Sequence, residues 1–240
     1  MTDRLVRLRT IEGVATITLD SPENRNALSA RLLAELDEAL AAALGDGAVR
    51  VLVLTHEGSV FCSGADLKGP PGPGALPRVL QALWTAPKPV VARVAGHVRA
   101  GGVGLVAACD LAVASPDATF AFSEVRIGVV PAVISLVVLP RLGMTRALEL
   151  FLTGEPIDGE RAAAAGLVAV AADDVDAAVA RYVEQLRLGA PRALAEAKRL
   201  LRQPLDFDEL ERLSAEMFAG DEAREGMQAF LEKRPPAWAR

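Results

Sequence analysis

The hydrophobic pattern changes period several times along the chain. Leu5 to Thr10 and Val14 to Asp20 alternate apolar and polar positions. With Glu12-Gly13 between them they predict a hairpin. A polar loop, Ser21-Pro-Glu-Asn-Arg-Asn26, separates it from a helix with Ser29 as N-cap and Leu32, Leu33, Leu36, Leu40 and Leu44 as its stripe. Gly45 and Gly47 end that helix. Val49 to Thr55 and Pro89 to Val94 read as buried strands, and Leu76 to Thr85 as a helix. Val60 to Lys68 reads as a short strand, Gly64 and a helical start, followed by a stiff loop at Pro70 to Gly74. Beyond residue 110 come short strands at 111–114 and 119–122, a turn at 124–131, helices at 134–139, 146–152 and 159–165, and a last strand at 167–170. From Val175 onward the pattern is helical, broken at Gly189-Ala-Pro191, Pro204 and Gly220-Asp221. Strands alternating with helices, then helices alone, predict an α/β core with a C-terminal helical appendage. No repeat of fixed period is visible.

Composition narrows the function. The chain has 240 residues, half of them hydrophobic, and a net charge of -5. That supports a sizeable core, and no basic block suggests a nucleic-acid groove. No apolar run is long enough to span a bilayer, and Met-Thr-Asp-Arg-Leu lacks the apolar region of a secretory signal. Two cysteines, Cys62 and Cys109, without metal-ligand spacing, suit reduced packing residues in the cytoplasm. Two histidines, His56 and His97, make no metal site by themselves.

Candidate chemistry sits on two glycine turns. One runs from the strand at 89–94 through Ala95-Gly-His-Val-Arg-Ala-Gly-Gly-Val-Gly104 onto a buried helix at 103–108. Glycine permits positive φ and close approach, and first-turn N–H groups can stabilise an anion or an oxyanion. Close helix packing is the other use such glycines have. Ser63-Gly64-Ala65-Asp66 resembles this turn: strand, glycine, helix start. Two such turns could aim two backbone N–H groups at one oxygen.

Six stretches, in order along the chain, carry a resemblance: Phe61-Cys-Ser-Gly-Ala-Asp-Leu-Lys68; Ala95 to Asp110; Phe122-Ser-Glu-Val-Arg-Ile-Gly-Val-Val-Pro131; Leu152-Thr-Gly-Glu-Pro-Ile157; Ala165-Gly-Leu-Val168; and Phe230-Leu-Glu-Lys-Arg-Pro-Pro236. Together they resemble the enoyl-CoA hydratase/isomerase family, the crotonases. The resemblance implies a spiral of ββα units (residues 1–185) binding acyl-CoA and a C-terminal α-helical trimerisation region (186–240). Homotrimers or dimers of trimers are expected. It also implies an acyl-CoA thioester as substrate and no tightly bound cofactor; the residues offer no metal site, and the charge pattern supports no nucleic-acid or membrane partner.

Carried over by position, the two oxyanion donors fall on the N–H groups of Ala65 and Gly101. A donor of this kind is worth about 3–4 kcal/mol to a developing enolate. The family's hydratases use two glutamates. One is present as Glu124, whose apolar flanks suit a raised pKa; the position of the other is Gly104. Two carboxylates can split a water between them, whereas one can shuttle a proton between carbons. Hydration of a 2-enoyl-CoA and Δ3-to-Δ2 isomerisation therefore both stand as expectations. A catalytically weak acyl-CoA binding protein that has lost its first glutamate is the alternative. The resemblance assigns CoA contacts to Arg25 and Ala27, to Asp66, Leu67 and Lys68, and to Phe230 and Lys233 of a neighbouring subunit. Where the family often continues with a glycine-rich turn, Ala132-Val-Ile-Ser135 stands here, and the resemblance then implies a bulkier wall for the acyl pocket. Asp110 reads as ordering the strand after it.

Overall fold

The computed structural model describes residues 4–239; Met1, Thr2, Asp3 and Arg240, on which part of the N-terminal reading falls, lie outside the described residues. The opening hairpin follows its pattern. Strand β1 (Val6–Ile11) pairs antiparallel with β2 (Val14–Leu19), and Glu12 and Gly13 between them both take positive φ, 47° and 77°. That turn matches the right-handed twist of the two strands. Ser29 caps α1 (Ala30–Gly45), its Oγ accepting the Leu32 N–H at 3.2 Å. Leu32, Leu33, Leu36 and Leu40 are buried beneath it.

Three units of strand, strand and helix follow. They are β3 (Val51–His56), β4 (Val60–Cys62) and α2 (Ala75–Thr85); β5 (Val90–Val94), β6 (His97–Arg99) and α3 (Gly101–Ala108); and β7 (Leu111–Ala114), β8 (Phe120–Ala121) and α4 (Ala132–Val138). Then come α5 (Met144–Thr153), α6 (Gly159–Ala164), β9 (Val170–Ala171) and α7 (Val175–Leu188). The first strand of each unit enters a six-stranded sheet of order β1-β2-β3-β5-β7-β9, and the second enters a three-stranded sheet of order β4-β6-β8. Among the described residues the other strand-to-strand pairings are parallel, and a single antiparallel bridge joins Phe120 of β8 to Ile157. This is the expected spiral of ββα units. The first strands begin at residues 51, 90 and 111, so the repeat is spatial and leaves no fixed period in the sequence.

β3 shows why its sequence is apolar throughout. Leu52 and Leu54 face the main core, while Val51 and Val53 join Val91 and Val113 against Val175, Val179 and Val183 of α7. A parallel strand covered on both faces has no polar side to show. The helical end follows its predicted breaks as α8 (Pro191–Arg202), α9 (Phe207–Ala219) and α10 (Asp221–Leu231). The expected division at 185/186 falls inside α7, which continues to Leu188. Among the described residues no helix is long and apolar enough to cross a membrane.

Four local expectations are corrected. The run 89–94 does not feed a glycine turn directly; the chain first crosses to the small sheet and forms β6. Gly96 permits the crossing, because a Cβ there would lie 2.5 Å from the Ser59 carbonyl oxygen. No helix starts after Gly64; Ala65 instead forms a parallel bridge with Leu28. The turn expected at 124–131 contains a 3-10 helix over Ser123–Ile127, and α4 begins at Ala132. The last strand is Val170–Ala171, because Leu167 and Val168 are drawn into the core instead.

His56, at the end of β3, is buried and accepts the Ala95 N–H on Nε2 at 3.2 Å. Its proton is therefore on Nδ1, near the Glu57 carbonyl at 3.4 Å. Burial lowers its pKa, so below the ordinary histidine value the unfolded chain binds a proton that the folded chain resists. Stability should fall as pH drops through that value. In urea titrations at pH 7.5 and pH 5.5 (about one unit either side of it), His56→Gln should show a smaller loss than the parent.

Candidate active site

Three parallel strands of the small sheet carry the candidate groups to one edge. Ala65 lies just beyond the end of β4, Gly101 just beyond β6 and Glu124 just beyond β8. Neighbouring strands stand about 4.8 Å apart, and the carboxyl ends of parallel strands are where such sheets expose turns to a ligand. The register is tight around the middle strand. Val98 and Arg99 pair with Phe120 and Ala121, and the Ala100 N–H donates to the Ala121 carbonyl at 3.0 Å.

The two glycine turns touch. A Cβ added to Gly64 would lie 2.9 Å from the Ala100 Cβ, and one added to Gly102 would lie 2.7 Å from the Cys62 Cβ. Glycine at these positions lets the first turn of α3 settle against the end of β4. Leu28 orients Ala65. Its N–H donates to the Gly64 carbonyl at 2.8 Å and its carbonyl accepts the Asp66 N–H at 3.3 Å. A residue between two such bonds turns its own N–H to the other side. The Gly101 N–H belongs to the first turn of α3, which has no intrahelical acceptor.

The positive φ expected of the glycines around 101 is found instead at Ala100, with φ 49° and ψ −122°. α3 starts at Gly101 itself, so Gly101, Gly102 and Gly104 serve close approach within a helix. A non-glycine residue in that region carries about 1–3 kcal/mol of strain. Nothing in an alanine signals such a conformation, and reading the sequence missed it.

Glu124 stands half-buried in the 3-10 turn. Phe122 stacks on Phe151 with ring centroids 4.5 Å apart, and Arg126 Nε donates to the Thr153 carbonyl at 3.2 Å, so α5 holds the turn on both sides. Oε2 of Glu124 is buried with no hydrogen-bond partner among the described residues. Burial pushes the carboxyl above its ordinary pKa, against a smaller opposing pull from its own backbone N–H. A carboxylate in a dry setting holds a proton more tightly than one in water.

Position 104 is closed to a side chain. A Cβ there would lie 2.9 Å from the Ile134 Cβ and closer still to its Cγ2. Ile134 is itself buried. The bulk expected of Ala132-Val-Ile-Ser135 thus reaches α3 through Ile134. The signal was present in the sequence, a glycine inside an apolar helix, but its partner could not be read from there.

The 21–27 loop lies against the turn at Gly64: the Arg25 carbonyl accepts the Ser63 N–H at 3.0 Å, and Arg25 is left-handed with φ 59°. Arg25, Ala27 and Asp66 are thereby gathered around Ala65. Asp66 Oδ1 accepts the Lys68 N–H at 2.9 Å, and Leu67 and Lys68 are exposed. Phe230 lies on α10, whose main packing partner is α9; the residue is 83% exposed, and Lys233 follows in a left-handed turn. Burial pushes the thiols of Cys62 and Cys109 up to about 12, so neither is a ready nucleophile.

A family model described as enoyl-CoA hydratase/isomerase matches residues 9–240. A protein of Rhodobacter capsulatus named a probable enoyl-CoA hydratase is 39% identical, with 98% of each chain covered. Among solved structures, Pseudomonas aeruginosa AtuE is 37% identical, with a TM-score of 0.91, covering 98% of this chain and 100% of its own. An enoyl-CoA hydratase of Mycobacterium smegmatis is 34% identical, with a TM-score of 0.91, covering 99% and 100%.

Ala100→Gly tests whether strain is stored at the start of α3. Relief of the strain outweighs the added freedom of the unfolded chain, so the variant should be more stable by about 1 kcal/mol in urea titration. Equal or lower stability would mean that Ala100 is unstrained.

Proposed function

Because this chain belongs to the enoyl-CoA hydratase/isomerase family, we propose that it acts on an unsaturated acyl-CoA thioester with Glu124 as its single acid/base, moving a double bond from the 3-position into conjugation at the 2-position. The thioester oxygen sits against the N–H groups of Ala65 and Gly101. Their pull acidifies the α-carbon, and the Glu124 carboxylate takes a proton from it. The electron pair moves onto the carbonyl oxygen, where the two donors stabilise the enolate. The charge then returns through carbon to the far end of the double bond. Glu124 delivers its proton there, regenerating the carboxylate. No water is consumed and atoms balance.

The observation that carries this reading is the buried, unpartnered Glu124 Oε2 at the strand edge shared with both donor turns. The filled space beside Gly104 supports it. Hydration is easiest with a second carboxylate to share the water, and Ile134 occupies the ground where such a side chain would begin. Hydration is the second reading, favoured by the name of the Rhodobacter capsulatus relative. A weakly catalytic acyl-CoA binding protein is the third, since it would use the same cradle.

In the same proposal the CoA phosphates meet Arg25 and Lys68, backbone groups of Ala27, Asp66 and Leu67 line the path, and Phe230 and Lys233 come from a neighbouring subunit. The exposure of Phe230 suits that role. Trimers or paired trimers are supported by the large apolar side chains the chain leaves exposed, among them Ile127, Val130, Leu136, Met144 and Leu152. The free buried cysteines suit a cytoplasmic setting.

A paired assay of the parent and Glu124→Gln decides among the readings, one arm following hydration of 2-enoyl-CoA and the other conversion of 3-enoyl-CoA. Isomerisation that falls about 10²- to 10⁴-fold in the variant, with little hydration in either protein, is the expected result. Hydration lost through the same substitution would establish the second reading. Binding without turnover in both arms would establish the third.

The pH profile is a separate check. The base works as the carboxylate, so activity should climb with pH. The raised Glu124 pKa should place the midpoint of that climb above 4.5, the ordinary glutamate value. A midpoint at or below that value would remove Glu124 as the base.

A further inference from the structure

At the end of α3 away from Gly101 lies a charge cluster that the proposed reaction does not use. The last carbonyls of a helix have no partner within it, and here two guanidinium groups supply them. Arg141, in the turn after α4, donates through Nε to the Ala107 carbonyl at 2.7 Å and through Nη2 to that of Cys109. Arg202, the last residue of α8, donates through Nη2 to the carbonyls of Cys109 at 3.3 Å and Ala108 at 3.4 Å. The other arm of Arg202 donates to the Trp84 carbonyl, and its guanidinium lies 4.0 Å over the Trp84 ring.

Asp110 stands at the centre. Its Oδ1 is 2.7 Å from Arg202 Nη2, its Oδ2 is 2.7 Å from Lys198 Nζ, and Oδ2 also accepts the Val90 N–H at 2.7 Å. The expectation that Asp110 orders the strand after it is corrected: the bonds of its side chain run instead to the start of β5 and to α8. Lys198 and Arg202 are four residues apart on α8 and so share a face. The side chains of Asp110, Lys198 and Arg202 are 18%, 10% and 12% exposed.

The charges in this cluster do not cancel: Arg141, Lys198 and Arg202 face one carboxylate. Excess buried charge is costly unless something of opposite sign meets it. For Arg141 and Arg202 what meets it is the negative end of α3 and its open carbonyls; Lys198 Nζ donates to the Lys88 carbonyl at 3.2 Å and the Leu83 carbonyl at 3.5 Å and reaches α3 through Asp110. α3 has little else to hold it by polar bonds, because all eight of its residues are buried and are glycine, alanine, valine or leucine. It is about 12 Å long at 1.5 Å per residue, and a helix that short moves as one piece. A displacement at Ala108 is carried to the Gly101 N–H.

We infer that Lys198 and Arg202 are positioning residues: through Asp110 and the C-terminal carbonyls of α3, they set where the Gly101 N–H meets the substrate oxygen. The helical C-terminal region thereby takes part in the reaction from the side away from substrate. The inference rests on the reading of Ala65 and Gly101 as the donor pair.

The test is the carbonyl stretch of a bound saturated acyl-CoA thioester, recorded by isotope-edited infrared difference spectroscopy. The probe is the tightest binder in a series of increasing chain length. Donors on the oxygen lower that frequency. The parent protein should show a clear downshift relative to the thioester in water. Arg202→Met and Lys198→Met should each lose about half of it or more, with thioester affinity changed by less than about twofold and kcat lowered about tenfold or more. A purely structural role would instead lower affinity and melting temperature while leaving the bound carbonyl unchanged. Lys198→Met keeps every Arg202 contact to the α3 carbonyls, so it carries the test if Arg202→Met loses its near-ultraviolet circular dichroism. A downshift that survives in a folded variant overturns the inference and leaves the donor pair standing. A parent protein that binds the thioester without any downshift overturns the donor pair and the inference with it.

Discussion

Three short parallel strands that stop level with one another are the constraint on which this molecule depends. Their spacing is set by backbone hydrogen bonds, so the turns after them must fit side by side in whatever room remains. Gly64 and Gly102 mark how little that is. A methyl on either would sit 2.9 Å and 2.7 Å from the Ala100 and Cys62 Cβ atoms. Any larger residue there would push β4 and α3 apart and take two backbone N–H groups with them. The large sheet serves this edge indirectly. Each of its strands β3, β5 and β7 hands the chain to a strand of the small sheet, and α7 seals its far face.

Polar satisfaction throws the site into relief. Among the described residues two buried side-chain polar atoms lack a hydrogen-bond partner, Thr55 Oγ1 and Glu124 Oε2. Leaving such a group unpaired costs about 1–3 kcal/mol, more when it is charged. The Glu124 turn bears that cost because it is held independently, by the Phe122–Phe151 ring contact and by Arg126 on the Thr153 carbonyl. The same dryness that destabilises the carboxylate makes it a stronger base. Strain at Ala100 follows a similar logic, since the backbone there is held by Ala121 on one side and by Val103, whose N–H donates to the Ala100 carbonyl, on the other.

α3 shows how a helix without a polar face is fixed in place. Glycines admit Leu28, Cys62 and Ile134 along its length, and charge is confined to its far end, where Asp110, Lys198, Arg202 and Arg141 gather. Packing alone tolerates small slides of an apolar cylinder. Directional bonds to its last carbonyls do not.

The sequence by itself determined the alternation of strands and helices, the Ser29 cap, the breaks at Gly189, Pro204 and Gly220, and, through six ordered motifs, the family. These are local or periodic properties: a cap acts within one turn, and a buried face repeats every two or 3.6 residues. The turns at Ala65 and Gly101, and Glu124 after Phe122, were legible as motif. Their arrival at one sheet edge was not, because it depends on the pairing of strands two or three residues long, too short to leave a period. β6, the left-handed Ala100 and the packing of Ile134 into the space at Gly104 were decided by tertiary structure alone. Each arises from a neighbour distant in the chain, and a close approach of two backbones leaves no more trace in the sequence than a glycine or an alanine.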